Sequence, residues 1–193
     1  MQNLRFVITG APGGGKSTLI EYLRTLGYPC IDEPARKILA DQRAIGGQGI
    51  PGINNRLFVD LMLEKMKDDY SRFDPDEMPL FFDRGIPDTI GYAHHFGFEY
   101  PTGHMAATMY RYTELVFFAP AWPDIYVTDD ERKMTLESTC DFGVDLQRVY
   151  LDAGYQLICL PFASVEDRAQ FILETIPSIP NRSAVSNVKE KSA

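Results

Sequence analysis

Cysteine is scarce in this chain: Cys30, Cys140 and Cys159 are the only three in 193 residues, odd in number and far apart. Without paired spacing they suggest neither a finger-type metal site nor a redox pair, and a reducing cytoplasm is the compartment they suit. Positive charge is also short, with 19 Lys and Arg against 27 Asp and Glu and a formal net charge of -8. A sequence-independent grip on a nucleic-acid duplex is built from phosphate-neutralising cations, so the expected partner is a small molecule. No run of 18 apolar residues occurs, and Met1 to Arg5 leads into an apolar strand pattern without the longer stretch of a signal peptide. No membrane span is therefore expected, and the reading is a soluble, cytoplasmic protein. No internal repeat is visible, and the oligomeric state is not legible.

What remains is ordinary globular material. With 45% hydrophobic and 24% charged residues, the chain has enough apolar surface for one core and enough charge to keep it in solution. Short apolar runs alternate with longer amphipathic ones, the pattern of a parallel sheet wrapped by helices. Strands are predicted at Leu4 to Thr9, Cys30 to Asp32, Leu80 to Asp83, Leu115 to Ala119 and Gln156 to Pro161. Leu19, Ile20, Leu23 and Leu26 keep helical spacing up to Gly27, and Leu57, Phe58, Leu61 and Met62 mark a second helix. A last helix runs from Ser164, its N-cap, to Ile176, with Glu166 and Asp167 in the first turn. Arg43 to Asn55 is rich in glycine and reads as a mobile connection. The expected division is a catalytic domain over residues 1–177 and a polar, frayed tail over 178–193.

The chemistry is concentrated at Gly10-Ala11-Pro12-Gly13-Gly14-Gly15-Lys16-Ser17, followed by Thr18. Two glycines with four residues between them, then Lys and a hydroxyl residue, between a strand and a helix, are the pattern and context of a phosphate-binding loop. Glycine lets the backbone turn N–H groups inward, and the helix N-terminus adds its positive end. Gly10, Pro12, Gly13, Gly14, Gly15, Lys16, Ser17 and Thr18 are the expected nucleotide-binding residues. Lys16 reaches the β- and γ-phosphates, and the Ser17 hydroxyl ligates Mg²⁺.

Asp83 ends the third strand at the carboxyl edge of the sheet, where it is expected to hold Mg²⁺ directly or through water. Arg84 follows and pairs with a phosphate or a neighbouring carboxylate. Asp32 and Glu33 end the second strand before Pro34. Each is either a helix-capping acid or the base that phosphoryl transfer needs, and Glu33 is the preferred base. Asp88 and Tyr92, four residues apart, share a helix face near Arg84, open to an acceptor contact. Met105, Met109, Tyr110 and Tyr112 read as a core face or, less often, a stacking pocket, and the adjacent His94 and His95 point too far apart to share a metal. Asp141-Phe142-Gly143 and Ile45-Gly46-Gly47-Gln48 are chance likenesses to kinase and transporter signatures.

Together, residues 10–17, Asp32-Glu33-Pro34-Ala35-Arg36 and Asp83-Arg84-Gly85-Ile86-Pro87-Asp88 resemble the nucleoside and nucleoside-monophosphate kinase branch of P-loop proteins, and more closely the AAA-family ATPases. That resemblance implies a three-layer α/β fold, a five-stranded parallel sheet of order 2-3-1-4-5 with helices on both faces. It implies Glu33 as catalytic base, Asp83 and Arg84 at the acceptor and phosphates, and a lid whose arginine is Arg132 in Asp129 to Lys133. A solvated helix start fits that segment equally, and Arg148 is the fallback. It also places the purine at Pro161-Phe162-Ala163, where the Pro and Phe fit a packing role equally. The expected activity is transfer of the ATP γ-phosphoryl group, with Mg²⁺, to a small, nucleoside-like acceptor. GTP stays open as the nucleotide, although no Asn-Lys-x-Asp motif is present. The alternative is a nucleotide-controlled binding protein with slow hydrolysis that acts on a protein or lipid partner. A ring ATPase is disfavoured by the short chain.

Overall fold

The computed structural model describes residues 3–73, 75, 78–125 and 135–176. Thirteen segments follow in order: β1 (Arg5–Gly10), α1 (Lys16–Thr25), β2 (Cys30–Ile31), α2 (Pro34–Ala44), α3 (Asn55–Arg72), β3 (Leu80–Asp83), α4 (Pro87–His95), α5 (Pro101–Met109), β4 (Leu115–Ala119), a 3₁₀ turn (Pro123–Ile125), α6 (Leu136–Asp152), β5 (Gln156–Cys159) and α7 (Val165–Thr175). The strands form one parallel sheet in the order β2-β3-β1-β4-β5. The expected architecture and strand order are both met.

Helices cover both faces, which is why the strands read as unbroken apolar runs rather than as alternating patterns. Phe6 and Ile8 of β1 pack with Leu19 and Leu23 of α1 and Ile172 of α7 on one face. Val7, between them, turns to the other face with Phe58 and Met62 of α3, Ile90 of α4 and Val149 of α6. Each such large side chain contributes roughly 1.5–3 kcal/mol through burial. The central strands thereby hold their carboxyl ends in one fixed row, where β1 ends at Gly10 and β3 at Asp83.

Element ends follow local chemistry. The first helix stops at Thr25, one residue before Leu26, which is 48% exposed rather than part of the apolar stripe. Gly27 at φ 91° closes it, with Gly27 N donating to Arg24 O at 3.0 Å and Tyr28 N to Leu23 O at 3.2 Å. The Ser164 side chain caps α7 by accepting from Asp167 N at 3.1 Å, as its sequence indicates. The connection expected from Arg43 is shorter, because α2 continues through Ala44. The remainder is a hydrogen-bonded turn in which Gly49 N donates to Gln42 Oε1 at 2.9 Å and Gly52 N to Asn55 Oδ1 at 2.7 Å. Cys30, Cys140 and Cys159 are all free. Among the described residues no helix is long and apolar enough to cross a membrane.

Candidate functional site

The phosphate loop leaves β1 at Gly10 and enters α1 at Lys16. Only glycine fits at Gly10: a Cβ there would stand 2.0 Å from the Ala119 carbonyl oxygen of β4, with φ at 130°. Gly15 has φ 72° and caps α1 without a side-chain hydrogen bond, leaving the first N–H groups of the helix for an anion. Lys16 is buried, and its Nζ donates to Gly10 O at 3.1 Å and Ala11 O at 2.8 Å across the loop. Ser17 and Thr18 are exposed on the first turn, and Pro12, Gly13, Gly15 and Lys16 share the cleft wall with them.

At the end of β3, Asp83 is 4% exposed, and its Oδ1 has no hydrogen-bond partner among the described residues. A buried orphan oxygen of this kind fits a cation or a cation-bound water. Ser17 adds the hard hydroxyl oxygen that a magnesium ion prefers, so the donor set suits Mg²⁺. Among the described residues no group of three or more His, Cys, Asp or Glu side chains stands ready for a metal, so a Mg²⁺ on Ser17 and Asp83 would draw its remaining ligands from phosphate and water.

Arg84 is the one described non-glycine residue with positive φ, at 74°, a conformation that costs about 1–3 kcal/mol. The turn drives its side chain back under the phosphate loop. Nε donates to Glu33 Oε1 at 2.6 Å, while Nη1 donates to Asp88 Oδ1 at 2.8 Å and to Gly10 O at 3.1 Å. Of the two roles open to Arg84, the structure gives it carboxylate pairs. Asp88 is wholly buried and saturated, accepting also from Thr9 Oγ1 at 2.7 Å, Gly85 N at 3.0 Å and Tyr150 Oη at 2.6 Å. It is an anchor of the site rather than an acceptor contact, and Tyr92 lies with its ring 5.5 Å from the Arg84 guanidinium.

These charges shift one another. Burial, then the Arg84 charge, lowers Lys16 to about 8. Burial, then Glu33, raises Asp83 to about 6. Burial opposes the charge of Glu33, but Arg84, Lys16 and Arg36 together hold its carboxyl below the usual range. Glu33 is therefore ionised at neutral pH and faces the cleft, as a base must. Asp32 instead pairs with Arg24 on the surface at 2.6 Å.

The cleft has a volume of about 810 Å³. Beyond Glu33 it is walled by Arg36, Phe58, Tyr92, His95 and Phe142. Toward the other end it is lined by Trp122, Ala163, Ser164 and Arg168. Phe162 lies against Trp122 with ring centroids 5.3 Å apart and the planes tilted by 39°. Trp122 and Arg168 carry no motif and are not legible in the sequence, because Trp122 follows β4 and Arg168 lies on α7, both far along the chain from the phosphate loop. Met105 and Met109 are 67% and 72% exposed, so the expected core face or stacking pocket is not formed by them. Tyr112 alone of that set is deeply buried, and its hydroxyl accepts from Ile86 N at 3.3 Å. His94 pairs with Asp145 at 3.1 Å on the surface. Arg132 and the whole proposed lid lie outside the described residues, as does the tail over 178–193. Arg148, the fallback, is not among the cleft residues.

Sheet order, phosphate loop and acidic strand end define a P-loop NTPase fold of the kinase-like branch. The chain belongs to the AAA domain family, whose model matches residues 5–168. No curated protein sequence matches it. Among solved structures it is similar to a NadR protein in complex with NR, at 19% identity and a TM-score of 0.64. That match covers 89% of this chain and 50% of the NadR chain, so this protein spans half of that relative. A deoxyadenosine kinase from M. mycoides with bound dATP is 15% identical with a TM-score of 0.62, covering 89% of this chain and 97% of that one. A shikimate kinase from Acinetobacter baumannii in complex with shikimate is 16% identical with a TM-score of 0.54, covering 90% and 92%. At these identities the likeness is one of fold.

Proposed function

We propose that the protein binds Mg-ATP and transfers its γ-phosphoryl group to a hydroxyl of a small, nucleoside-like metabolite. The observation that carries this reading is Glu33: an ionised, half-buried carboxylate held by Arg84 between the phosphate loop and an aromatic pocket. A simple nucleotide switch has no use for a fixed base facing a second pocket, whereas phosphoryl transfer needs one to receive the acceptor proton. The likeness in fold to deoxyadenosine kinase supports a nucleoside-like acceptor, and the pocket walls of Phe58, Tyr92 and Phe142 suit a planar ring. The shikimate kinase shows that the same fold accepts other hydroxyl compounds, so the pocket and not the fold sets the choice.

In this mechanism the loop amides and Lys16 hold the β- and γ-phosphates and neutralise charge on the oxygen that leaves with ADP. Glu33 takes the proton as the acceptor oxygen bonds to the γ-phosphorus and the bond to the bridging oxygen breaks. Arg84 keeps Glu33 charged and aimed, and Asp88 with Tyr150 keeps Arg84 in place. Ser17 and Asp83 would hold a magnesium ion, which would supply charge neutralisation to the phosphates. The nucleotide base lies toward Trp122 and the Pro161-Phe162-Ala163 loop. The test is ATP consumption with and without a pool of nucleosides and related hydroxyl metabolites. At least tenfold stimulation by the pool is expected; an unstimulated basal rate would favour the switch reading.

A further inference from the structure

Arg168 sits on α7 behind the phosphate loop, 3% exposed. Its Nη2 donates to the Gly14 carbonyl at 2.9 Å, and a Cβ on Gly15 would lie 2.7 Å from Nη1. The guanidinium carbon stands 5.8 Å from the Trp122 ring centroid. Among the described residues its buried Nε has no hydrogen-bond partner. Among the described residues no carboxylate pairs with Arg168, and burial alone acts on its proton affinity, lowering it.

Arg84 shows how this protein builds a structural arginine: equally buried, it is held by Glu33 and Asp88 at 2.6 and 2.8 Å. A buried guanidinium without any counter-charge is costly, and a protein retains one where a ligand brings the missing anion. Arg168 lines the same cleft as Lys16 and Ser17, against the two glycines whose backbone forms the phosphate cradle. We infer that Arg168 is a phosphate-binding residue of the nucleotide site, a second cation supplied by α7 that pairs with the phosphate chain of a nucleoside di- or triphosphate. This rests on the nucleotide reading above and adds a ligand that no sequence motif marks. Arg168 exchanges its place over Trp122 for a fork of charge-assisted bonds, which a guanidinium makes to phosphate better than an ammonium does.

The test is calorimetric titration of the full chain with Mg-ATP and Mg-ADP, together with the thermal midpoint of the nucleotide-free protein. Arg168→Gln keeps a donor for the Gly14 carbonyl but removes the charge. It is expected to weaken both nucleotides at least tenfold while the nucleotide-free midpoint holds or rises, and Arg168→Lys recovers part of the affinity. Binding of Mg-ATP by Arg168→Gln within twofold of wild type would overturn the inference and leave Arg168 as a clamp on the loop. Should Arg168→Gln fail to fold, Arg168→Met takes its place with the same two outcomes. A wild-type protein that binds no nucleotide would instead sink the nucleotide reading and this inference with it.

Discussion

Arg84 Nε donates to Glu33 Oε1 at 2.6 Å, joining the end of β3 to the start of α2 across 51 residues. The bond exists because Arg84 adopts a left-handed backbone, which turns its side chain under the loop instead of out along the strand. A carboxylate pinned in this way has the fixed position that the proposed proton acceptor needs. Glu33→Gln removes the base but keeps the shape, and is expected to lower kcat by about 10²–10⁴ while leaving the KM for ATP within about threefold. Steady-state kinetics with the acceptor identified decides it, and an unchanged kcat would remove Glu33 from the chemistry.

The phosphate loop was legible because its eight residues are contiguous and their spacing is itself the mechanism. Asp83 was legible because a strand's carboxyl end in a parallel sheet has a known direction. Arg168 was not, since its bond to Gly14 spans 154 residues and nothing near it in the chain hints at that approach. Asp88 was noticed for its helical spacing from Tyr92, but its partners Thr9 and Tyr150 come from other elements. Met105 and Met109 misled because their four-residue spacing marks a helix face without saying whether that face is covered.

On the proposed reading, Asp83 trades stability for function. Its pKa is raised in the fold, so the folded state holds the proton more tightly than the unfolded chain, and stability falls as pH rises toward and through about 6. Above that pH the full penalty is present. Asp83→Asn is therefore expected to gain about 1–3 kcal/mol at neutral pH, a rise of several degrees in thermal midpoint, while turnover is lost. Scanning calorimetry beside an activity assay checks both, and a destabilised variant would contradict the account.

Nucleotide affinity should depend on pH through Lys16. Its ammonium loses a proton near pH 8 in the free protein, and bound phosphates raise that value again. Binding above pH 8 must then take up a proton, so Mg-ATP affinity falls with rising pH by up to about tenfold per unit. Calorimetry in buffers of different ionisation enthalpy measures the uptake directly; no uptake at pH 9 would place Lys16 away from the phosphates.

Tyr150 anchors the arginine network from α6 through its 2.6 Å bond to Asp88 Oδ2. Tyr150→Phe deletes one buried hydrogen bond to a carboxylate and is expected to cost about 1–3 kcal/mol. Urea denaturation reads the loss, and a variant as stable as wild type would show that Asp88 does not depend on that bond.

The central claim is phosphoryl transfer, and ³¹P NMR of the protein with Mg-ATP and a pool of nucleosides, nucleotides and hydroxyl metabolites tests it most directly. The account predicts a new phosphomonoester signal growing in step with ADP and absent with Glu33→Gln. Slow release of inorganic phosphate alone, indifferent to the pool, would contradict it.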